Sequence, residues 1–165
     1  MKTIQLTQGK EAFVDDEDFE RINKHKWTVL KKSNTFYARR TINGGSPSQR
    51  HIKMHREIMG LTPKDGLVVD HINGNGLDNR KRNLRICTQF QNMKNTLKRP
   101  GKTSKYKGVY WRKERGKWQA RITFQNKRIR LGHFEDESEA ARAYDGAAKK
   151  YFGEFAKLNF PGDTE

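Results

Sequence analysis

The sequence predicts an α+β protein of two small domains, and three observations carry that prediction. A Pro-Gly pair among basic and hydroxyl residues, 96–104, breaks any preceding helix and marks a linker. After it, Lys117–Phe124 alternates polar and apolar residues, as a strand with one buried face does. Before it, short strand-like and helix-like segments alternate. The 165 residues are enough for one ordinary domain or two small ones. Only 33% of the residues are hydrophobic, so any core is small.

The first half, residues 1–95, is predicted to begin with a small α+β layer over residues 1–50. Its elements are a strand at 2–6, a helix at 15–24, and hairpin strands at 27–30 and 36–42 around polar residues 31–34. The helix starts with acidic residues, which suit the positive end of a helix dipole. A further helix is predicted at 54–60, ending at Gly60.

The next segment, residues 67–95, predicts a β-loop-β-helix unit. Its parts are an aliphatic strand at 67–69, a wide Gly, Asn and Asp loop at 73–79, a strand at 84–87, and a helix through Asn92 and Asn95. Thr88 is the expected cap of that helix. We expect the unit to bring Asp70 and His71, at the end of the first strand, near the helix.

The second half, residues 105–161, predicts a three-stranded antiparallel sheet covered by one helix. The central strand places four apolar residues on one face, which are Trp118, Ala120, Ile122 and Phe124. Flanking strands are predicted at 107–113 and 128–134. Asp136 and Glu139 form a capping box, and the residues after them are apolar at helical spacing. The helix is expected to lie across the apolar face of the sheet.

The charge of the chain indicates its partner. It contains 35 Lys and Arg against 19 Asp and Glu, a net charge of +16 that attracts polyanions. The distribution is uneven, since residues 79–113 hold twelve Lys or Arg and no acid. Nucleic acid is therefore the expected partner.

Several classes of protein are excluded by composition. No apolar run approaches the roughly 20 residues of a membrane-spanning helix. The first ten residues lack the apolar core of a secretion signal, so we expect a cytoplasmic protein of a bacterial or phage-infected cell. The single cysteine, Cys87, leaves no internal disulfide and no multi-cysteine zinc site, so no structural zinc is expected.

Four side chains of the β-loop-β-helix unit suit phosphodiester hydrolysis. A histidine titrates near neutrality and can take a proton from water, which makes His71 a candidate general base. Asp70 and Asn92 offer hard oxygen ligands that suit one Mg²⁺ or Mn²⁺ ion, with waters and substrate phosphate completing its shell. Asn83, where the loop rejoins the sheet, is a candidate hydrogen-bond partner that fixes the imidazole.

Residues 54–95 resemble the HNH nuclease family, particularly phage and intron homing endonucleases with a ββα-metal site. The resemblance rests on Asp-His-Ile-Asn-Gly-Asn at 70–75, Asp-Asn-Arg at 78–80, Asn-Leu-Arg at 83–85 and Asn-x-x-Asn at 92–95. It implies that Asp70 and Asn92 are metal ligands, that His71 activates water, and that Asn83 orients His71. All four positions are filled, as in an active enzyme.

Residues 104–160 resemble the Apetala-two type DNA-binding domain, known from plant ethylene-response factors and also found behind HNH nucleases. The matching segments are Tyr-Lys-Gly-Val at 106–109, Gly-Lys-Trp at 116–118, Leu-Gly-His-Phe at 131–134, Glu-Ala-Ala-Arg-Ala-Tyr-Asp at 139–145 and Leu-Asn-Phe at 158–160. The resemblance implies that the exposed face of the sheet enters the major groove of DNA.

Strand alternation places eight candidate DNA-binding residues on that exposed face. They are Tyr110, Arg112, Lys117, Gln119, Arg121, Thr123, Arg128 and Arg130. Arginine and lysine there can bind guanine edges or phosphates. Only Arg112 and Arg128 match the base-reading residues of the plant domains, so the GC-rich target of those domains is not implied.

We interpret the chain as a metal-dependent DNA endonuclease of the site-specific homing type. A monomer with one active site is expected to nick duplex DNA, with no membrane partner and no small-molecule substrate. One alternative is a non-catalytic, sequence-specific DNA-binding regulator, which the intact motif disfavours. Another is an RNA-binding or RNA-cleaving protein, which would need more aromatic stacking surface. For His55, support of the active site, contact with phosphate and plain packing all stay open.

Overall fold

The structure, a computed structural model, describes most of the chain, namely residues 1–32, 35–42, 50–62, 64–95 and 103–162. The chain divides into two compact units, Met1–Asn92 and Met93–Glu165. Residues 96–102 of the predicted linker and residues 33–34 of the predicted hairpin turn lie outside the described residues. Within the described ranges, no helix is long and apolar enough to cross a membrane.

The first unit is built from three small antiparallel sheets and three short helices in its described residues. In chain order these are β1 (Lys2–Gln5), β2 (Glu11–Val14), α1 (Asp16–Asn23), β3 (Thr28–Lys32), β4 (Thr35–Ile42), β5 (Arg50–Lys53), α2 (Met54–Ile58), β6 (Val68–His71), β7 (Leu84–Cys87) and α3 (Gln89–Asn92). β1 pairs with β2, β6 pairs with β7, and β4 lies between β3 and β5.

One hydrophobic core joins these elements. Its largest fully buried side chains are Trp27, Ile4, Ile22, Met54 and Val14. Ile22 comes from α1 and Ile4 from β1, as the helical spacing and the strand alternation predict. The indole Nε1 of Trp27 donates a hydrogen bond to the Ile22 carbonyl at 2.8 Å, so burial leaves this polar atom satisfied.

The predicted β-loop-β-helix unit is present as β6, its loop, β7 and α3. The Thr88 hydroxyl accepts a hydrogen bond from the Gln91 N–H at 3.2 Å, which confirms the predicted cap. α3 packs against both β6 and β7. The α-helix is shorter than predicted, because it ends at Asn92 and Met93–Asn95 form a 3-10 turn.

The second unit is a three-stranded antiparallel sheet covered by one long helix. Its elements are β8 (Val109–Arg112), β9 (Lys117–Phe124), β10 (Lys127–Phe134) and α4 (Glu137–Phe152), with β9 central. α4 packs against all three strands. The Asp136 side chain accepts hydrogen bonds from the N–H groups of Ser138 and Glu139 at 2.7 and 3.0 Å, which confirms the predicted helix start.

Close packing of α4 on the sheet depends on small residues. Ala140, Ala141 and Ala148 are fully buried. Gly108, just before β8, has φ +79°, and a Cβ there would lie 1.9 Å from Cδ2 of Tyr144. Glycine is therefore required at position 108 by both backbone conformation and space.

The predicted α+β class is confirmed, but two strands were not predicted. β2 and β5 have only four residues each, and β5 is rich in polar residues. They form because they pair with β1 and β4, which lie elsewhere in the chain. The first strand of the second unit is also shorter than the predicted 107–113.

Candidate active site

The β6–β7 hairpin sets the geometry of the candidate active site. Asp70 and His71 are the last two residues of β6, and the antiparallel register places Arg85 opposite Asp70 and Leu84 opposite His71. Asp70 and His71 are both buried, with 6% and 5% of their surface exposed. Buried ionisable groups require partners, and each of the two has one.

His71 is held by Asn79, a residue of the wide loop. Its Nε2 lies 3.2 Å from Oδ1 of Asn79. The amide nitrogen of Asn79 donates instead to the Leu77 carbonyl, at 3.2 Å. Since Oδ1 of Asn79 is an acceptor only, Nε2 of His71 carries the proton and Nδ1 carries the lone pair.

The surroundings of His71 keep its imidazole neutral. Burial lowers the pKa of His71, and the Asn79 hydrogen bond and the Asp70 and Asp78 carboxylates offset this only in part. A neutral imidazole with the lone pair on Nδ1 can accept a proton at physiological pH.

The described hydrogen bonds of the Asn83 side chain go to the loop, and the expectation that Asn83 fixes the His71 imidazole stays a prediction. Its Oδ1 accepts a hydrogen bond from the Asn73 N–H at 3.0 Å, and its Nδ2 donates to the Asp78 carbonyl at 2.8 Å. The Asn83 side chain thus joins both ends of the loop. That loop also carries Asn79, which contacts His71.

Asp70 is paired with a cation from the neighbouring strand. Arg85 donates to Oδ2 of Asp70 from Nε at 2.9 Å and from Nη2 at 2.7 Å. Both side chains are largely buried, so the pair lies in a medium where charges interact strongly. Arg85 balances the Asp70 carboxylate and fixes its orientation.

Asn92, the second predicted ligand, lies at the end of α3, the helix that packs against the strand of Asp70. Its backbone N–H donates to the Thr88 carbonyl at 3.0 Å, and its side chain is half-buried. One carboxylate and one amide oxygen fit Mg²⁺, which binds few protein groups and retains waters. In the described residues, no group of three or more His, Cys, Asp or Glu side chains is placed to hold a metal ion.

Two more rings pack around His71. The His55 ring lies 4.8 Å from the His71 ring and perpendicular to it, and the Tyr37 ring lies 5.7 Å from His71. Burial, then the charges of His71, Lys53 and Arg56, lower the pKa of His55 to about 2. His55 is therefore neutral and packs against the His71 ring, and its support of the site stays a prediction.

Asn79, Tyr37 and Arg85 are site residues that the sequence did not identify. Asn79 lies inside the recognised motif, but the orientation of its side chain depends on how the loop folds back. Tyr37 comes from β4, 34 residues before His71, and no local pattern links the two. Arg85 follows from pairing β6 with β7, which fixes the residue opposite Asp70.

In the second unit, the predicted DNA-binding residues do share one face of the sheet. Tyr110 pairs with Gln119, Arg112 with Lys117, Arg121 with Arg130, and Thr123 with Arg128. Directly opposed residues of antiparallel strands lie on the same face, so all eight lie together. That they bind DNA stays a prediction.

Gln119 differs from the other seven because it is buried. Its Oε1 accepts two hydrogen bonds from Arg112, at 2.9 and 2.6 Å, and its Nε2 lies 3.2 Å from Nε2 of His133. Gln119 therefore positions Arg112 rather than presenting a free amide to a ligand. Direct DNA contact by Gln119 stays a prediction.

The hairpin with its Asp-His pair and the basic sheet on a helix thus lie in two separate compact units. Residues 48–94 match the family model described as HNH endonuclease, and residues 104–154 match the model described as AP2 domain. The chain thus carries an HNH endonuclease domain followed by an AP2 domain.

Two viral proteins are similar to this chain. Protein 3.8 of Escherichia phage T7 is 37% identical over 79 residues, covering 48% of this chain and 64% of that protein. A protein of Acanthamoeba polyphaga mimivirus named uncharacterized HNH endonuclease is 29% identical over 157 residues, covering 92% of this chain and 76% of its own length.

The second domain resembles plant proteins. An AP2/ERF and B3 domain-containing protein of Oryza sativa subsp. japonica is 50% identical over 60 residues, covering 36% of this chain and 16% of that protein. The chain spans less than two thirds of the length of the rice protein and of the phage T7 protein. The likeness to the rice protein is therefore one of a single domain.

Proposed function

We propose that the chain is a metal-dependent DNA endonuclease that hydrolyses a phosphodiester bond in duplex DNA. The observation that carries the proposal is the neutral His71, whose proton lies on Nε2 against Asn79, next to the Asp70 carboxylate. The HNH endonuclease domain and the AP2 domain support nuclease activity and DNA binding.

In the proposed reaction, His71 acts as the general base. A water oxygen attacks phosphorus while Nδ1 of His71 takes the water proton. The bond between phosphorus and the leaving oxygen breaks, and that oxygen keeps the electron pair and is protonated from solvent. The hydrogen bond to Asn79 stabilises the imidazolium that forms, because the Nε2 proton already points at an acceptor.

Asp70 and Asn92 are proposed to hold one Mg²⁺ or Mn²⁺ ion. When bound, the ion would stabilise negative charge on the phosphate and leaving oxygens. Arg85 keeps the Asp70 carboxylate in place. Asn83 holds the loop closed, so that Asn79 stays against His71.

The basic face of the AP2 domain is proposed to bind the duplex. Arg121 lies over the Tyr110 ring, 4.0 Å from its centre to the guanidinium carbon, which orders both side chains. Arg128 and Arg130 are exposed on β10, the strand that pairs with β9. A face with these cations gives strong, salt-dependent attraction to phosphates.

The proposal also covers the cleavage product, the site specificity and the cellular location. One active site in a monomer would cut one strand at a time, so nicking is the expected product. A sequence-specific AP2 domain would direct the cut to few sites, as in a homing enzyme. Action in the cytoplasm of a bacterial or phage-infected cell is also part of the proposal.

The proposal is tested with supercoiled plasmids that carry candidate host DNA. Incubation with Mg²⁺ or Mn²⁺ is expected to give nicked circles, and EDTA or Asp70→Asn is expected to abolish them. Tight duplex binding without cleavage in any metal would favour the regulator alternative. Cleavage of RNA but not DNA would contradict the proposed substrate.

A further inference from the structure

The sheet formed by β3, β4 and β5 carries cations on the face that includes Tyr37. Arg39 of β4 lies directly opposite Lys53 of β5. Tyr37 and Arg39 are two residues apart on one strand, so they lie on the same face. Lys32 lies opposite Thr35, which shares that face. We refer to Lys32, Arg39 and Lys53 as the cation row.

The cation row continues into the candidate active site. The Lys53 ammonium lies 5.2 Å from the centre of the Tyr37 ring, and that ring lies 5.7 Å from the ring of His71. The positive charge of Lys53 is one cause of the lowered pKa of His71. A ligand that contacts the row would therefore lie next to His71.

Among the residues that the structure describes, no carboxylate forms an ion pair with Arg39, unlike several other arginines of this unit. Within the described part of the first unit, ion pairs are formed by Arg21 with Asp18, Arg40 with Glu57, Arg80 with Asp78 and Arg85 with Asp70. Among the described residues, the buried Nε of Arg39 has no hydrogen-bond partner. A buried N–H without an acceptor is costly to the folded state.

The opposite residue, Lys53, is also a cation. Like charges directly opposed on neighbouring strands destabilise a sheet. Burial, and then the charges of Lys32 and Arg56, lower the pKa of Lys53. An arrangement that disfavours folding is retained where it serves a ligand.

We propose that Arg39 and Lys53, with Lys32 at the edge, form a binding site for a backbone phosphate of duplex DNA beside His71. The guanidinium of Arg39 would bind two phosphate oxygens, and the Lys53 ammonium would add a point charge. The site would hold the strand against the nuclease domain and position the scissile bond. This inference rests on the proposed function in taking DNA as substrate.

The test compares single charge removals in the full chain. Arg39→Gln and Lys53→Gln remove one charge each from the row. Lys31→Gln removes one charge from the opposite face of β3 and is the matched control, because successive strand residues point to opposite faces. Arg39→Lys keeps the charge and serves as a rescue variant.

The first measurement is the salt dependence of binding to a fluorescent duplex of mixed sequence. Each lost phosphate contact is expected to reduce the log-log slope by about 0.9. Arg39→Gln and Lys53→Gln should show this reduction, whereas Lys31→Gln and Arg39→Lys should keep the slope of the wild-type chain. Unchanged slopes in both row variants would overturn the inference.

The second measurement is the unfolding temperature of each variant without DNA. Removal of one of two opposed cations is expected to keep or raise it. A lower unfolding temperature with an unchanged slope would show a structural role and overturn the inference. A slope that changes with single-stranded RNA but not with duplex DNA would overturn it as well.

Neither readout requires cleavage. A wild-type chain that binds DNA through the row but never cuts it would contradict the proposed nuclease function and leave this site standing. A chain that nicks DNA while both row variants bind with the wild-type slope would contradict this phosphate site and support the proposed nuclease function.

Discussion

Nε2 of His71 lies 3.2 Å from the side-chain oxygen of Asn79, and both side chains are buried. The direction of the Asn79 amide is fixed from its other end, where Nδ2 contacts the Leu77 carbonyl and the Met54 sulfur. This contact decides which nitrogen of His71 carries the proton and which carries the lone pair. A buried second residue that fixes a histidine tautomer is a common way to prepare the ring for catalysis.

Replacement of Asn79 by leucine should reduce cleavage without removing the fold of the hairpin. The substitution keeps the size of the side chain but removes the acceptor for Nε2, so the tautomer and the imidazolium lose their support. We expect the single-turnover cleavage rate to fall about 10- to 100-fold. The control is Asn75→Ala in the same loop, whose side chain contacts the Leu77 N–H and not the imidazole. Equal rates for Asn79→Leu and the wild-type chain would contradict this role.

His55 should make the first unit sensitive to mild acid. Its pKa is about 2 in the folded chain and about 6.5 when unfolded, so between these values the unfolded state binds one more proton. Stability due to neutral His55 is full above pH 6.5 and is lost as the pH falls below that value. The expected loss is up to about 1.4 kcal/mol per pH unit, measured by urea unfolding between pH 7.5 and 5.

The variant His55→Phe should flatten this dependence, because phenylalanine binds no proton. His71 contributes in the same direction, so part of the slope is expected to persist. The control His51→Gln changes an exposed histidine and should leave the slope as in the wild-type chain. A slope that does not differ between His55→Phe and wild type would contradict the claim that His55 causes the pH dependence of stability.

Two glycines of the second unit should respond in opposite ways to alanine. Gly108→Ala places a Cβ against the Tyr144 ring at positive φ, and we expect a loss of about 2–4 kcal/mol. Gly146 lies inside α4 with open space around it, and Gly146→Ala should stabilise by about 1 kcal/mol. Thermal unfolding of both variants checks the prediction. A neutral Gly108→Ala would show that the strand start and α4 are less tightly packed than the structure indicates.

The exposed arginines of β10 should contribute to DNA binding mainly through charge. Arg128→Gln and Arg130→Gln are each expected to weaken duplex binding and to reduce the log-log salt slope by about 0.9 if a phosphate contact is lost. Lys149→Gln, on the exposed surface of α4, is the control with the same charge change. Equal slopes for all three variants would place the DNA on another surface.

The sequence predicts elements where local pattern and tertiary environment agree. Lys117–Phe124 alternates strictly, and the structure buries Ala120 and Ile122 on the side that faces α4. The Asp136 cap depends only on nearby backbone N–H groups, so it too is predictable. β5 depends instead on pairing with β4, and its own residues have no strand pattern.

Some residues of the candidate site can likewise be predicted from the sequence, and others cannot. Asp70 and His71 are consecutive residues within a long motif, which makes them recognisable from sequence. The position of Asn83 and the family resemblance predict that Asn83 orients His71, whereas the contact of Asn79 with the imidazole depends on how the loop folds and is not predictable from the motif. The cation row combines residues of separate strands, and only the strand register brings Arg39 and Lys53 together.

The most direct measurement is the metal-dependent nicking rate of His71→Ala beside its binding of the same duplex. A general base contributes about 10²- to 10⁴-fold, so we expect at least a 100-fold lower rate with unchanged affinity. His51→Ala, at an exposed histidine, should cut as the wild-type chain does. Nicking by His71→Ala at the wild-type rate would contradict the assignment of His71 as the base and, with it, the proposed nuclease site.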